Sequence, residues 1–162
     1  MSLPDLAAVL WRQRELLERL VYRLECEQLL LAAGRTRFLS MATEEVETLI
    51  GELSMVEMQR AALADAVAAE LDIEPGAALE DLAAGAQPPW TGVLVEHRNA
   101  LLTLTGELTR LAEANRNLMS AGLQAVEQAM DGLGLRQGSS VGYDAQGRRE
   151  MFGGVSMIDR AL

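Results

Sequence analysis

The chain has no lysine, one cysteine, one histidine and few aromatic residues, 4% of 162. Each scarcity excludes something. Without lysine there is no phosphate-cradling loop of the G-x-x-x-x-G-K-[ST] type. Cys26 has no partner for an internal disulfide, and Cys26 with His97 cannot build a zinc site of three or four nitrogen and sulfur ligands, so neither a metal nor a cofactor is expected. Apolar runs such as Leu29 to Ala33 fall far short of the roughly 20 residues that span a bilayer. The opening Met1-Ser2-Leu3-Pro4-Asp5 lacks a basic stretch followed by an apolar one. No membrane insertion and a cytoplasmic location are therefore expected.

Positive charge is also in short supply, 14 basic against 24 acidic side chains for a net −10. That balance opposes the phosphate neutralisation on which nucleic-acid affinity rests, so DNA and RNA are poor partners. The deficit is local. Residues 41–90 hold eleven acids and one arginine, Arg60, whereas the segments on either side are close to neutral. An acidic, solvated helix face that keeps an apolar chain soluble accounts for it, and steering of a basic partner is the functional alternative.

What the chain has in abundance is alanine and leucine, about a third of all residues, which favours helices. Apolar residues recur at alternating three- and four-residue steps in three long stripes. The first runs Leu3, Leu6, Leu10, Gln13, Leu17, Leu20, Leu24, Glu27, Leu31, with Ser2 as a candidate N-cap, Pro4 in the first turn and Gly34 as the stop. The second runs Leu39, Ala42, Val46, Leu49, Leu53, Val56, Arg60, Leu63, Val67, Glu70 and ends before Pro75-Gly76. The third runs Trp90, Leu94, His97, Leu101, Leu104, Leu108, Leu111, Asn115, Leu118. Beyond Asn115 the stripe slips to Met119, Leu123, Val126, Met130 and Leu133, which rotates the contact face. Between the second and third stripes, Leu79 and Leu82 mark a short helix.

Stripes of this length cannot be buried alone. They predict an all-α fold, an elongated antiparallel bundle of three long helices with coiled-coil-like packing, one short connecting helix and a flexible C-terminal tail. The expected helices are 3–33, 35–72, 77–85 and 89–133, with residues 134–162 as the tail. Gly34 is the only breaker between the first two stripes, and a hairpin there buries both of them.

The tail differs in kind. It is glycine- and serine-rich from Gly132 to Gly142, continues as Tyr143-Asp144-Ala145-Gln146-Gly147-Arg148, and ends on a short amphipathic segment, 150–162. There Met151, Val155, Ile158 and Leu162 share a helical stripe beside Phe152. Five apolar side chains interrupted by Gly153-Gly154 bury too little area to offset the entropy of ordering twelve residues, so this segment is expected to need apolar area from elsewhere.

Catalytic signatures are wanting. Gly138-Ser139-Ser140-Val141-Gly142 matches G-x-S-x-G, but glycine-rich flanks replace the required strand and helix, and His97 lies upstream on a helix. Glu44-Glu45-Glu47 falls in the solvated acidic segment. His97, Asn115, Gln13, Glu27 and Arg60 occupy stripe positions, where a polar residue fixes register or meets a facing side chain. No enzyme is expected.

The order of these parts carries a resemblance. An N-terminal heptad helix turns into an acidic one, followed by Leu71-Asp72-Ile73 and Leu79-Glu80-Asp81-Leu82. A long helix then carries Leu111-Ala112-Glu113-Ala114-Asn115-Arg116-Asn117-Leu118, and the tail bears the Tyr143 element. Over essentially the whole chain this resembles the FlgN-type flagellar export chaperones. The resemblance implies a helical, non-enzymatic cytoplasmic protein. Such a protein binds the amphipathic terminus of flagellar hook-associated (junction) proteins, prevents their premature assembly and delivers them to the type III export gate. On that basis the client is expected on Met151, Phe152, Val155, Ile158 and Leu162 together with Met119, Leu123, Val126 and Met130. Tyr143 is the candidate docking point for the export-gate component, and the protein is expected to be a monomer or weak dimer. The alternative is a structural coiled-coil or self-associating helical adaptor without a secretion client, in which the third helix dimerises through its Met119 and Met130 face.

Overall fold

A computed structural model describes residues 2–133. Among these the regular elements are helices: α1 (Ser2–Ala32), α2 (Leu39–Glu70), α3 (Leu79–Gly85) and α4 (Trp90–Gly132), with one turn of 3₁₀ helix at Thr36–Phe38. α1 is the central element. Both α2 and α4 pack along it, while α2 and α4 approach each other far less closely.

The leucine stripe of α1 accounts for that arrangement. Leu6, Leu10, Leu17 and Leu20 are inaccessible to solvent or nearly so, as is the neighbouring Leu16. Against them lie Val46, Leu49, Leu53 and Val67 of α2 and Leu94, Leu101, Leu108 and Leu111 of α4. At about 1.5–3 kcal/mol for each fully buried side chain, this stripe dominates the gross stabilisation. Past Arg60 the buried set of α2 moves to Ala64, Val67 and Ala68, leaving Leu63 only partly covered.

Three cross-links set the direction of α1 and α2. The backbone N–H and Oγ of Ser2 donate to Glu70 at 3.0 and 2.8 Å, Gln13 Nε2 donates to Glu57 at 2.7 Å, and Arg23 pairs with Glu45 at 2.7 Å. The partners descend along α2 as α1 ascends, so these two helices are antiparallel. Ser2, expected as a cap just outside the helix, is instead its first residue and clips the start of α1 to the end of α2. Those two donated bonds hold the Glu70 carboxyl below its ordinary range.

α4 returns alongside α1, as the third long helix of an up-down-up antiparallel bundle must. Arg14 lies beside His97 at 3.4 Å and Asn115 Nδ2 donates to the Leu24 carbonyl at 3.0 Å, so α4 runs parallel to α1. The connection over 71–89 stays at the base of the bundle, and α4 therefore starts where α1 starts. α3 fills that base with Leu79 and Leu82, both fully buried. An ion pair between Glu80 and Arg98 at 2.7 Å ties it to α4.

Two helix ends need left-handed backbone. α1 stops at Gly34 with φ +66°, where the Arg35 N–H reaches back to the Leu30 carbonyl at 2.8 Å and the Gly34 N–H to Leu31 at 3.1 Å. This is a Schellman stop. α2 ends the same way at Asp72, with φ +60° and the Ile73 N–H on the Ala68 carbonyl at 2.8 Å. There the left-handed residue carries a Cβ.

Polar residues on the buried stripes form layers. Glu57 accepts from Gln13 and from Arg60 Nε at 3.1 and 3.0 Å, which pairs the lone arginine of residues 41–90 inside the α1–α2 interface. His97, 2% exposed, meets the edge of the Trp11 ring at 5.0 Å between centroids, and the Arg14 guanidinium stacks on that ring at 4.3 Å. Because arginine only donates, His97 Nδ1 is the acceptor and the imidazole is neutral. Burial, then the Arg14 charge, push its pKa below 6.5, with Glu96 opposing.

Gly34→Ala should cost about 1 kcal/mol, because a Cβ is strained at that φ, whereas Asp72→Gly should stabilise by a similar amount; urea unfolding of both variants checks the opposite signs. Since His97 titrates lower in the folded chain than in the unfolded one, the unfolded state binds more protons below about pH 6.5 and stability must fall as pH drops through that range. The urea midpoint of the parent should decline there, and His97→Gln should flatten the decline.

Candidate functional site

The last residue of α4 to be buried is Asn115. Asn115 is level with Leu24, so the last turns of α1 still lie alongside Arg116 to Met119, and from Ser120 every described residue is exposed. α1 and α2, having turned back on each other at Gly34, have no further leucines to offer it. The apolar residues at this end are consequently only partly covered. Leu31 closes the first stripe, Leu39 opens the second, and Leu118 and Met119 straddle the slip in the third; all four are half-buried.

Together they enclose a groove of about 320 Å³. One wall is Leu31, Gly34, Thr36 and Leu39 from the α1–α2 turn; the other is Leu118, Met119, Leu123 and Val126 on α4, with Ser120 and Gly122 between them. A Cβ on Gly122 would meet nothing within 4 Å, so that wall is open at its small residues. Arg116, at the rim, is the one charged residue among the lining side chains.

Such a cleft is apolar, shallow and free of converging polar groups. It suits a few apolar side chains from another segment and offers no arrangement for proton transfer or nucleophilic attack. Among the described residues, no group of three or more His, Cys, Asp or Glu side chains is placed to hold a metal ion, and no helix is long and apolar enough to cross a membrane.

The residues singled out from the sequence fall into three groups. Met119, Leu123 and Val126 line the groove. Met130 is 41% exposed further along α4 and is not part of the wall. Met151, Phe152, Val155, Ile158, Leu162 and Tyr143 lie outside the described residues, as does the G-x-S-x-G match. Sequence reasoning missed the opposing wall, Leu31, Thr36 and Leu39, and the rim residue Arg116. Its trace in the sequence was slight: the two stripes end and begin there with leucines that have no successor.

The sequence model of the family described as FlgN protein matches residues 1–150. That span takes in the whole described bundle and the Tyr143 element, and leaves Met151 to Leu162 outside it. No curated protein and no solved structure gives a significant match. With more than nine-tenths of its length matched, the chain belongs to the FlgN family, a family of flagellar export chaperones.

Proposed function

We propose that this protein holds the amphipathic terminus of a flagellar hook-associated (junction) protein in the groove between the α1–α2 turn and α4, keeps it from assembling in the cytoplasm, and hands it to the export gate. The observation that carries the reading is the overhang of α4. Leu123 and Val126 are 49% and 56% exposed on a helix whose earlier stripe leucines Leu94, Leu101, Leu108 and Leu111 are buried, and a helix that leaves its apolar face uncovered has that face available for a partner. Met119 adds an unbranched, polarizable side chain that adapts to clients of different shape.

The client in this reading is an amphipathic helix whose apolar side chains enter the groove and whose carboxylate, from a side chain or a helix C-terminus, meets Arg116 at the rim. Met151, Phe152, Val155, Ile158 and Leu162 then cover the client from the other side, supplying the apolar area that the tail segment cannot find by itself. Met130, one turn beyond Val126, extends the contact. Tyr143 lies between the two client-binding parts in sequence and is the proposed contact with the export gate. Because the groove is apolar and the acidic residues concentrate in 41–90, burial drives the association more than charge does.

Leu123→Ala should weaken binding of a junction-protein terminal peptide about tenfold, as expected for losing one buried leucine contact, and Leu123→Asp with Val126→Asp should abolish it. Because these side chains are exposed in the free protein, helix content and melting should stay unchanged. Isothermal titration at low and high salt reads both affinity and the modest salt dependence. Undiminished binding by the double variant sinks the groove. A chain ending at residue 147 tests the tail separately: it should lose client binding at unchanged melting, and equal affinity removes the tail from the site.

A further inference from the structure

α2 carries a second apolar face that nothing in the described structure covers. Opposite its buried stripe, Gly51, Met55, Met58, Ala62, Ala66 and Ala69 recur at helical spacing, and all six are exposed. Met55 and Met58 are 67% and 73% accessible, and a Cβ on Gly51 would meet nothing within 4 Å. The usual solvent side of a bundle helix is charged or polar. Here the stripe itself holds no charged residue, and the acid nearest to it, Asp65, accepts a hydrogen bond from the Gly76 amide at 2.8 Å.

The order of large and small residues on this face is self-complementary about its middle. If a second α2 lies across it antiparallel, with a two-fold axis near residue 60, Met58 falls over Ala62 of the second copy, Met55 over Ala66 and Gly51 over Ala69. Each methionine knob thus meets an alanine hole, and every contact is repeated by symmetry, as an isologous interface requires. The small residues let the two backbones approach closely. The charges fit the same arrangement. Asp65 comes beside Met55 of the second copy, while Glu44 and Glu47 project past the point where the facing α2 ends at Glu70. A parallel pairing would set Asp65 against Asp65 and each glutamate against itself, which is repulsive.

We infer that the protein self-associates as an antiparallel dimer through this face of α2. The stripe spans 19 residues from Gly51 to Ala69, roughly 28 Å of helix, so the area covered lies below the standard ~800 Å² per partner and the dimer is weak and reversible. The groove stays open in the dimer, since Leu39 lies on α2 about 18 Å before Gly51 at 1.5 Å per residue. The inference is independent of what the groove binds.

Sedimentation equilibrium on the full chain, over protein concentrations from about 10 µM to about 1 mM, covers the range in which an interface of this size populates. A monomer–dimer equilibrium is expected, weakened at least tenfold by Met58→Glu and also by the uncharged Ala62→Trp, which fills the hole. Val126→Glu, at the groove, should leave it unchanged. Melting followed by circular dichroism verifies that each variant folds. Orientation is read in a Cys26→Ser background, where mixing Met58→Cys with Ala62→Cys protein under oxidation should give the crossed disulfide in excess over either self-linked product. A chain monomeric to about 1 mM, a dimer lost with Val126→Glu and kept with Met58→Glu, or a preference for Met58→Cys self-linkage would each overturn the proposal.

Discussion

The burial of one leucine stripe, that of α1, is the constraint from which the rest of the bundle follows. Leu6, Leu10, Leu17 and Leu20 can be excluded from water only if helices cover α1 on two flanks, and α2 and α4 take those flanks with far less contact between themselves. Because α1 serves both, its length limits how far either can be covered. α2 begins where α1 ends and matches it. α4, 43 residues against 31 for α1, outruns it, and the groove is the consequence of that difference in length.

Polar groups inside this core are placed where they select one alignment. Gln13 and Arg60 converge on Glu57, Asn115 reaches the Leu24 carbonyl, and Arg14 and Trp11 frame His97. Leucine stripes by themselves tolerate sliding by one heptad, since each turn resembles the next. A buried side chain that must find one particular acceptor does not, because leaving it unpaired costs about 1–3 kcal/mol. The layers fix register along α1 on both of its flanks, and so fix which residues of α4 end up beyond the last buried turn. The position of the groove depends on them as much as on helix length.

Much of this was legible in the residues alone. The three stripes identify most of the core: all of the first stripe except Leu31 is buried, and the polar positions Gln13, Arg60, His97 and Asn115 lie inside as their place on the stripes implied. The slip beyond Asn115 marked the loss of packing on α4, since a rotated face no longer points at α1. Leucines that form the other wall of the groove, Leu31 and Leu39, were legible only as stripe residues. Nothing in their spacing distinguishes a leucine with a neighbour from one without.

Periodicity along a chain thus determined which residues turn inward, where helices stop, and that the described residues fold as helices, because these depend on contacts within a few turns. Tertiary structure decided the level of α4 against α1, and with it the existence of an open groove. Those are relations between segments more than 80 residues apart, as from Leu24 to Asn115, which a repeat of three and four residues cannot encode.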